Sequence, residues 1–188
     1  MHSVWKTSIR FTLITTVLLG LVYPLAITGI AHMLFPHQAA GSLVHVGERI
    51  VGSSLIGQSF SSDRYFHSRP SAAGNGYDAT SSGGSNLAQS SQKLVQRMQG
   101  DIDKLNAQNP DRNVPIDLVT ISGSGLDPEI TPDAAYYQAH RVAASRHMSE
   151  DAINRLIAAH VTPRTLGFIG EPRVNVLELN LDLDSVSK

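Results

Sequence analysis

The chain has 188 residues, with 15 Lys and Arg against 16 Asp and Glu, eight His and no Cys. A formal net charge of −1 gives no electrostatic ground for nucleic-acid binding. The lack of Cys excludes disulfides, thiolate metal sites, a Cys nucleophile and a lipidated N-terminal Cys.

Residues 1–10 form a short basic N-terminus. After Lys6 and Arg10 no Asp, Glu, Lys or Arg occurs until Glu48. Residues 11–33 are mostly Leu, Ile, Val, Ala and Thr. As a helix rising about 1.5 Å per residue they reach roughly 35 Å, enough for a hydrocarbon core of about 30 Å. The alternative is a signal peptide cleaved at Gly29-Ile30-Ala31. Signal-peptide apolar regions usually span about 7–15 residues, and this run is longer. The reading is therefore an uncleaved transmembrane anchor. The basic residues precede the span and none follows it for many positions. This predicts a cytoplasmic N-terminus, with the bulk of the chain outside, periplasmic in a Gram-negative cell. Roughly 150 residues then remain for one outer domain with a real core.

Within the span, Thr12, Thr16, Gly20, Pro24 and Thr28 form an i+4 row of small residues. Such a row makes a shallow groove for a second helix, with Thr16 and Gly20 as candidate contacts. It drifts by about 40° per step, so the groove winds around the helix. Pro24 removes a backbone hydrogen bond and marks a kink point. A lone helix without charged residues forms no ion path, so a role in transport would act through partners.

The outer part reads as α+β. Residues 34–42 are a linker and residues 43–188 a single domain. Residues 50–60 suggest a strand and turn. Residues 67–86 are dominated by Ser, Gly, Ala and Asn; composition favours disorder, and an ordered loop held by a partner is the alternative. Asn86 and Gln89 resemble a capping pair opening a helix, with Leu87, Leu94, Val95, Met98, Ile102 and Leu105 on one face. Asn109-Pro110 ends it. Residues 117–122 suggest a short strand leading into Gly123-Ser124-Gly125. Thr131-Pro132 starts a helix that turns Ala135, Ala139, Val142 and Ala143 inward and runs to about His147. Ser149 caps another, with Ile153, Leu156 and Ile157 apolar, ending before Thr162-Pro163. Residues 173–183 give the clearest strand signal. Its parity changes between Val176 and Leu177, which predicts a bulge.

The chemical motifs are weak. Ser82-Gly83-Gly84-Ser85-Asn86 precedes the expected helix, where glycine-rich backbone can cradle phosphate. These five residues are the nucleotide-contact candidates, yet no G-x-x-x-x-G-K-[ST] element accompanies them. A loop requiring positive φ at Gly83 or Gly84 explains the glycines better. Gly123-Ser124-Gly125 fails as a dinucleotide fingerprint, because Pro128 stands where a third glycine belongs. Ser90-Ser91-Gln92-Lys93 fits an S-x-x-K pattern that also occurs at residues 3–6 and 185–188, so it has no weight. The histidines form no H-E-x-x-H pair and have no carboxylate placed to complete a metal site. By chemistry the chain reads as non-catalytic, without a metal or cofactor of its own.

Five stretches together carry a resemblance. They are Ser54-Leu55-Ile56-Gly57-Gln58-Ser59-Phe60, Tyr65-Phe66-His67-Ser68-Arg69-Pro70-Ser71-Ala72, residues 82–88, Ser122-Gly123-Ser124-Gly125-Leu126-Asp127-Pro128, and Gly170-Glu171-Pro172-Arg173-Val174-Asn175-Val176-Leu177. Following one N-terminal span in this order, they resemble the C subunit of the bacterial high-affinity potassium-transporting ATPase, the Kdp complex. One departure is Ala88-Gln89, where the family commonly continues Gly-Pro. The resemblance implies a single-span accessory subunit in the bacterial inner membrane. Its implied partners are a channel-like potassium-binding subunit, a P-type ATP-hydrolysing subunit and a small hydrophobic stabilising subunit, besides membrane lipid. ATP and potassium would act on the complex. The family is also described as a catalytic chaperone raising ATP affinity, with the Ser-Gly-Gly segment proposed to touch nucleotide; that conflicts with an outer location for residues 82–86. Polar residues in or beside the matched stretches give the partner-contact candidates Gln58, Arg69, Asn86, Asp127, Arg141, Glu171 and Arg173. The competing reading is that Arg69, Arg141 and Arg173 satisfy internal carboxylates or carbonyls. An independent membrane-anchored envelope binding protein is the alternative from another class.

Overall fold

The computed structural model describes residues 2–186, which fall into two compact units, one up to Ser53 and one from Ser54. The architecture is α+β.

The first unit is dominated by a helix that runs through Ser3–Leu34, 32 residues long and apolar enough to cross a membrane. It is built from α1 (His2–Val17), a π-helical turn (Leu18–Val22) and α2 (Tyr23–Leu34). The wide turn answers Pro24, whose ring would meet the carbonyl four residues back in an α-helix. The Tyr23 N–H reaches back to the Leu18 carbonyl instead. A π turn uses more residues per revolution than an α turn, so it winds back part of the drift of the Thr12–Thr28 row. Thr16 and Gly20 stand at its entrance and inside it. A short helix α3 (Pro36–Ala39) follows, then a hairpin of β1 (Leu43–Val46) and β2 (Arg49–Ser53), irregular between Val44 and His45.

In the second unit the core lies between three helices and a small sheet. The helices are α5 (Pro132–Arg146), α6 (Glu150–His160) and α7 (Val176–Val186). The sheet is antiparallel, with β5 (Arg173–Asn175) between β3 (Glu129–Ile130) and β4 (Val161–Thr162). Ala135, Ala139, Val142, Ile153, Ile157, Val174, Leu179 and Leu183 fill the centre, together with Phe66 from an irregular segment. The two expected helix starts are found: Thr131 and Ser149 each accept the N–H three residues on, from Ala134 and Ala152. His147 closes α5 in the left-handed region at φ 57°.

Three expectations from the sequence are overturned. Residues 173–183 do not form one strand: β5 ends at Asn175 and α7 begins at once. Asn175 caps that helix, its Oδ1 accepting the Glu178 N–H at 3.2 Å. Val176, Leu179, Asn180 and Leu183 share the buried face at helical spacing, and the alternating leucines imitated period two. The parity change was the strand-to-helix junction, not a bulge.

Second, α4 (Gln92–Gln108) begins after Ser91, not at Asn86. Asn86 has φ 50°, which is incompatible with an extended N-cap but tolerated by Asn. Third, residues 117–122 are not a strand. A 3₁₀ turn at Ile116–Leu118 is stabilised locally, with the Thr120 hydroxyl donating to the Ile116 carbonyl at 2.8 Å. The buried Asp117 carboxylate accepts the Thr131 N–H at 2.7 Å, one residue before α5.

Candidate functional site

The glycine-rich segment is folded backbone to backbone against the turn at residues 122–126. The Gly83 N–H and the Ser82 hydroxyl both donate to the Ser124 carbonyl, at 2.8 and 3.0 Å. Ser71 Oγ donates to the Gly125 carbonyl at 2.6 Å and accepts the Ala73 and Tyr77 N–H groups. The Tyr77 hydroxyl donates to the Arg69 carbonyl, and burial pushes its pKa upward. Residues 67–86 are thus ordered by their own domain.

The glycines serve close approach. Gly125 adopts φ +66°, and a Cβ there would sit 2.5 Å from the Gly83 oxygen and 2.8 Å from the Ala73 nitrogen. Gly83 and Gly84, by contrast, have ordinary φ, which corrects the expectation of a left-handed glycine at either position. Gly84 lies against the Gly123 carbonyl, 3.3 Å from where its Cβ would be. The run Ser82-Gly83-Gly84-Ser85-Asn86 does not open α4, and its Gly83 N–H is already engaged.

The arginine candidates are turned inward. Arg69 Nη1 meets Asp127 Oδ2 at 3.0 Å, while its Nη2 and Nε reach Thr120 Oγ1 and the Thr120 carbonyl. Asp127 Oδ1 also accepts the Glu129 N–H. Arg141 donates to the Asp63 and Tyr65 carbonyls, at 2.7 and 3.0 Å, and to Gln138 Oε1 at 2.9 Å. Arg173 Nε meets Glu129 Oε1 at 2.8 Å across β5 and β3. The Gln58 carbonyl accepts the Ser68 hydroxyl at 3.4 Å. These groups position loops around the three-helix core.

Three residues outside the sequence candidates do the same work from deeper in the core. Arg146 is held by the Arg64 carbonyl, by Asp184 Oδ1 at 2.7 Å and by the Tyr65 ring, 4.9 Å below its guanidinium carbon. Gln138 and Asn180 bind the backbone of His67 and Phe66. Their one signal was a polar residue inside an apolar helical face, too common to rank them.

A cleft of about 300 Å³ lies between α4 and α5, lined by His67, Tyr77, Lys104, Leu105, Gln138 and Arg141 among others. Burial, and then the Arg141 charge, push the His67 pKa down. Burial also lowers that of Arg141. The His67 ring donates from Nε2 to the Ser62 carbonyl at 3.1 Å, so the neutral ring has its proton there. Among the described residues no three His, Asp or Glu side chains are grouped to hold a metal.

Glu171 is different, standing exposed at the base of an arm that joins β4 to β5. Residues 162–171 are exposed throughout, and Leu166, Phe168 and Ile169 are exposed at 79, 72 and 51%. Apolar residues between Pro163 and Pro172, interspersed with Gly167 and Gly170, were the sequence signal for this outcrop.

Comparison with known proteins agrees along nearly the whole chain. Residues 5–185 match the family described as KdpC, K+-transporting ATPase, c chain. The chain is 53% identical over 178 residues to the Potassium-transporting ATPase KdpC subunit of Koribacter versatilis, covering 95% of this chain and 92% of that protein. It is 54% identical over 183 residues to the protein of the same name in Acidobacterium capsulatum, covering 96 and 97%. For Bradyrhizobium diazoefficiens the identity is 51% over 191 residues, with 95% of each chain covered. From its apolar helix to its last helix, the chain belongs to the KdpC family of potassium-transporting ATPase subunits.

Proposed function

We propose that this chain is the non-catalytic, membrane-anchored accessory subunit of an ATP-driven potassium uptake complex. In this reading it stabilises the assembly of a channel-like potassium-binding subunit, a P-type ATP-hydrolysing subunit and a small hydrophobic subunit. The observation that carries it is the unbroken family match over residues 5–185, which takes in the apolar helix and the folded domain together. Relatives so matched are named as subunits of a potassium-transporting ATPase.

Lys6 and Arg10 ahead of the span support a cytoplasmic N-terminus and an outer location for the unit from Ser54. There the domain docks on the channel-like subunit near its potassium entrance. ATP and potassium are handled by the partners. The nucleotide-linked chaperone reading is weakened by the Gly83 N–H, which Ser124 already occupies.

The test is to tag the C-terminus, grow cells under potassium limitation, extract in mild detergent and identify what co-purifies. A P-type ATPase and a channel-like subunit in about equal amounts is the expected result. Recovery of the chain alone and intact would favour an independent envelope protein. Sidedness is read separately with Ser81→Cys in the otherwise Cys-free chain, using a membrane-impermeant thiol reagent on intact spheroplasts. Labelling is expected, and protection until the membrane is permeabilised would reverse the orientation.

A further inference from the structure

We propose that the β4–β5 arm is a preformed docking plug, with Leu166, Phe168 and Ile169 filling an apolar recess on a protein partner. The proposal rests on the accessory-subunit reading and adds to it the surface and the chemistry of contact. Leu166 and Phe168 are the two most exposed large apolar groups among the described residues of this unit, Ile169 beside them is half exposed, and none of the three belongs to its core. Their frame is nevertheless closed by its own backbone hydrogen bonds. Thr165 and Ile169 exchange two backbone hydrogen bonds of 2.9 Å, and the Gly167 and Phe168 N–H groups return to the Arg164 and Thr165 carbonyls. Leu166, Gly167 and Gly170 all take positive φ, at 54, 82 and 76°. Leucine disfavours that region, so the loop holds a costly conformation that presents apolar surface to solvent. Such a frame loses little freedom on binding.

Charge selects the occupant. Arg164 and Glu171 flank the apolar residues, both exposed, and neither is ion-paired among the described residues. An anionic lipid headgroup layer would attract Arg164 and repel Glu171, whereas a protein rim can offer an acid to one and a base to the other. Three side chains make a contact too small to hold a complex alone. They suit a second contact for a chain already tethered by its membrane helix, where effective concentration replaces area.

Because the chain has no Cys, Phe168→Cys introduces its single thiol, and Ser81→Cys supplies an exposed reference. Each variant is purified as the assembled complex and as the isolated chain, then treated with a maleimide. Modification is read by mass spectrometry on this chain's own peptides. The thiol at 168 is expected to react about tenfold more slowly in the complex, with position 81 unchanged. Phe168→Ser and Leu166→Asn should lower partner recovery by about fivefold or more at an unaltered melting temperature, since both positions are exposed and Asn tolerates positive φ.

Full recovery of partners with equal labelling at 168 in both samples overturns the plug and leaves the accessory-subunit reading standing. Failure of the wild-type chain to recover any partner overturns both. Protection of position 168 in the isolated chain by phosphatidylcholine–phosphatidylglycerol vesicles overturns it in favour of the membrane. Protection that grows with the concentration of the isolated chain does so in favour of a second copy.

Discussion

The side-chain amide of Asn180 clamps both backbone groups of Phe66: the Phe66 N–H donates to Oδ1 at 2.8 Å, and Nδ2 donates to the Phe66 carbonyl at 2.9 Å. The next residue is held alike, with Gln138 accepting the His67 N–H at 2.8 Å and donating to its carbonyl at 3.1 Å. Two consecutive residues of an irregular segment thus receive strand-like pairing from helices α7 and α5. This lets Phe66 enter the core without leaving buried peptide groups unpaired.

Asn180→Ala should therefore be among the most damaging single changes. It removes two hydrogen bonds and strands a buried N–H and carbonyl, a loss of about 3 kcal/mol. Thermal unfolding of the full chain in detergent, followed by circular dichroism, reads it. Asn180→Asp turns a carboxylate oxygen toward the Phe66 carbonyl and buries an unpaired charge, and should be at least as damaging as Ala. An unchanged melting temperature for Asn180→Ala would show that the clamp is dispensable.

Gly125 and Gly83 lie on facing strands of chain and should respond in opposite ways. Gly125→Ala places a methyl group 2.5 Å from the Gly83 oxygen in a left-handed backbone, and should destabilise by more than about 2 kcal/mol. Limited proteolysis should then begin within residues 67–86. Gly83→Ala has open space and an ordinary φ, so its effect should stay within about 0.5 kcal/mol. Equal sensitivity at the two positions would contradict the packing described.

Arg146 ties α5 to α7 and to residues 64–65. Its side chain is 1% exposed, but that of its partner Asp184 is 47% exposed. Removal therefore leaves a carboxylate that water can reach. Arg146→Met should cost about 2 kcal/mol, short of the loss for a fully buried pair, because Asp184 rehydrates. A double-mutant cycle with Asp184→Asn should return a coupling of about 1 kcal/mol.

The depressed pKa of His67 sets a pH dependence. The unfolded ring takes up a proton as pH falls through 6.5, whereas the folded ring resists because of burial and the Arg141 charge. Between 6.5 and the lower folded value the unfolded state binds more protons, so stability falls as pH falls. The contribution is fully present above 6.5. His67→Gln should flatten this part of the stability curve between pH 7.5 and 5. A wild-type curve with no decline there, or one that His67→Gln leaves unaltered, would remove His67 as the cause.

The long apolar helix was legible because its signal is local and additive: no charge between Arg10 and Glu48, and apolar residues enough to span a membrane. The caps at Thr131 and Ser149 were legible for the same reason, since each acts three residues away. Where two local patterns competed, the sequence misled. Alternating leucines after Arg173 imitated a strand, and only packing against α5 and α6 selected the helix whose face is Val176, Leu179, Asn180 and Leu183. The glycine- and serine-rich residues 67–86 lacked the apolar content that marks order. Their order comes from hydrogen bonds to residues far along the chain, Gln138 to His67 across 71 positions and Ser71 to Gly125 across 54. For Arg69, Arg141 and Arg173 the sequence left an inward and an outward reading open, because an arginine reads alike whether it holds a carbonyl inside or waits outside, and the folded chain pairs all three internally. The sequence by itself determined the long apolar helix, the mixed α+β character and the family. The tertiary structure alone decided which polar groups are spent within the domain and which apolar ones, Leu166, Phe168 and Ile169, are left facing outward. Burial is a property of what surrounds a residue in space, and no local pattern encodes it.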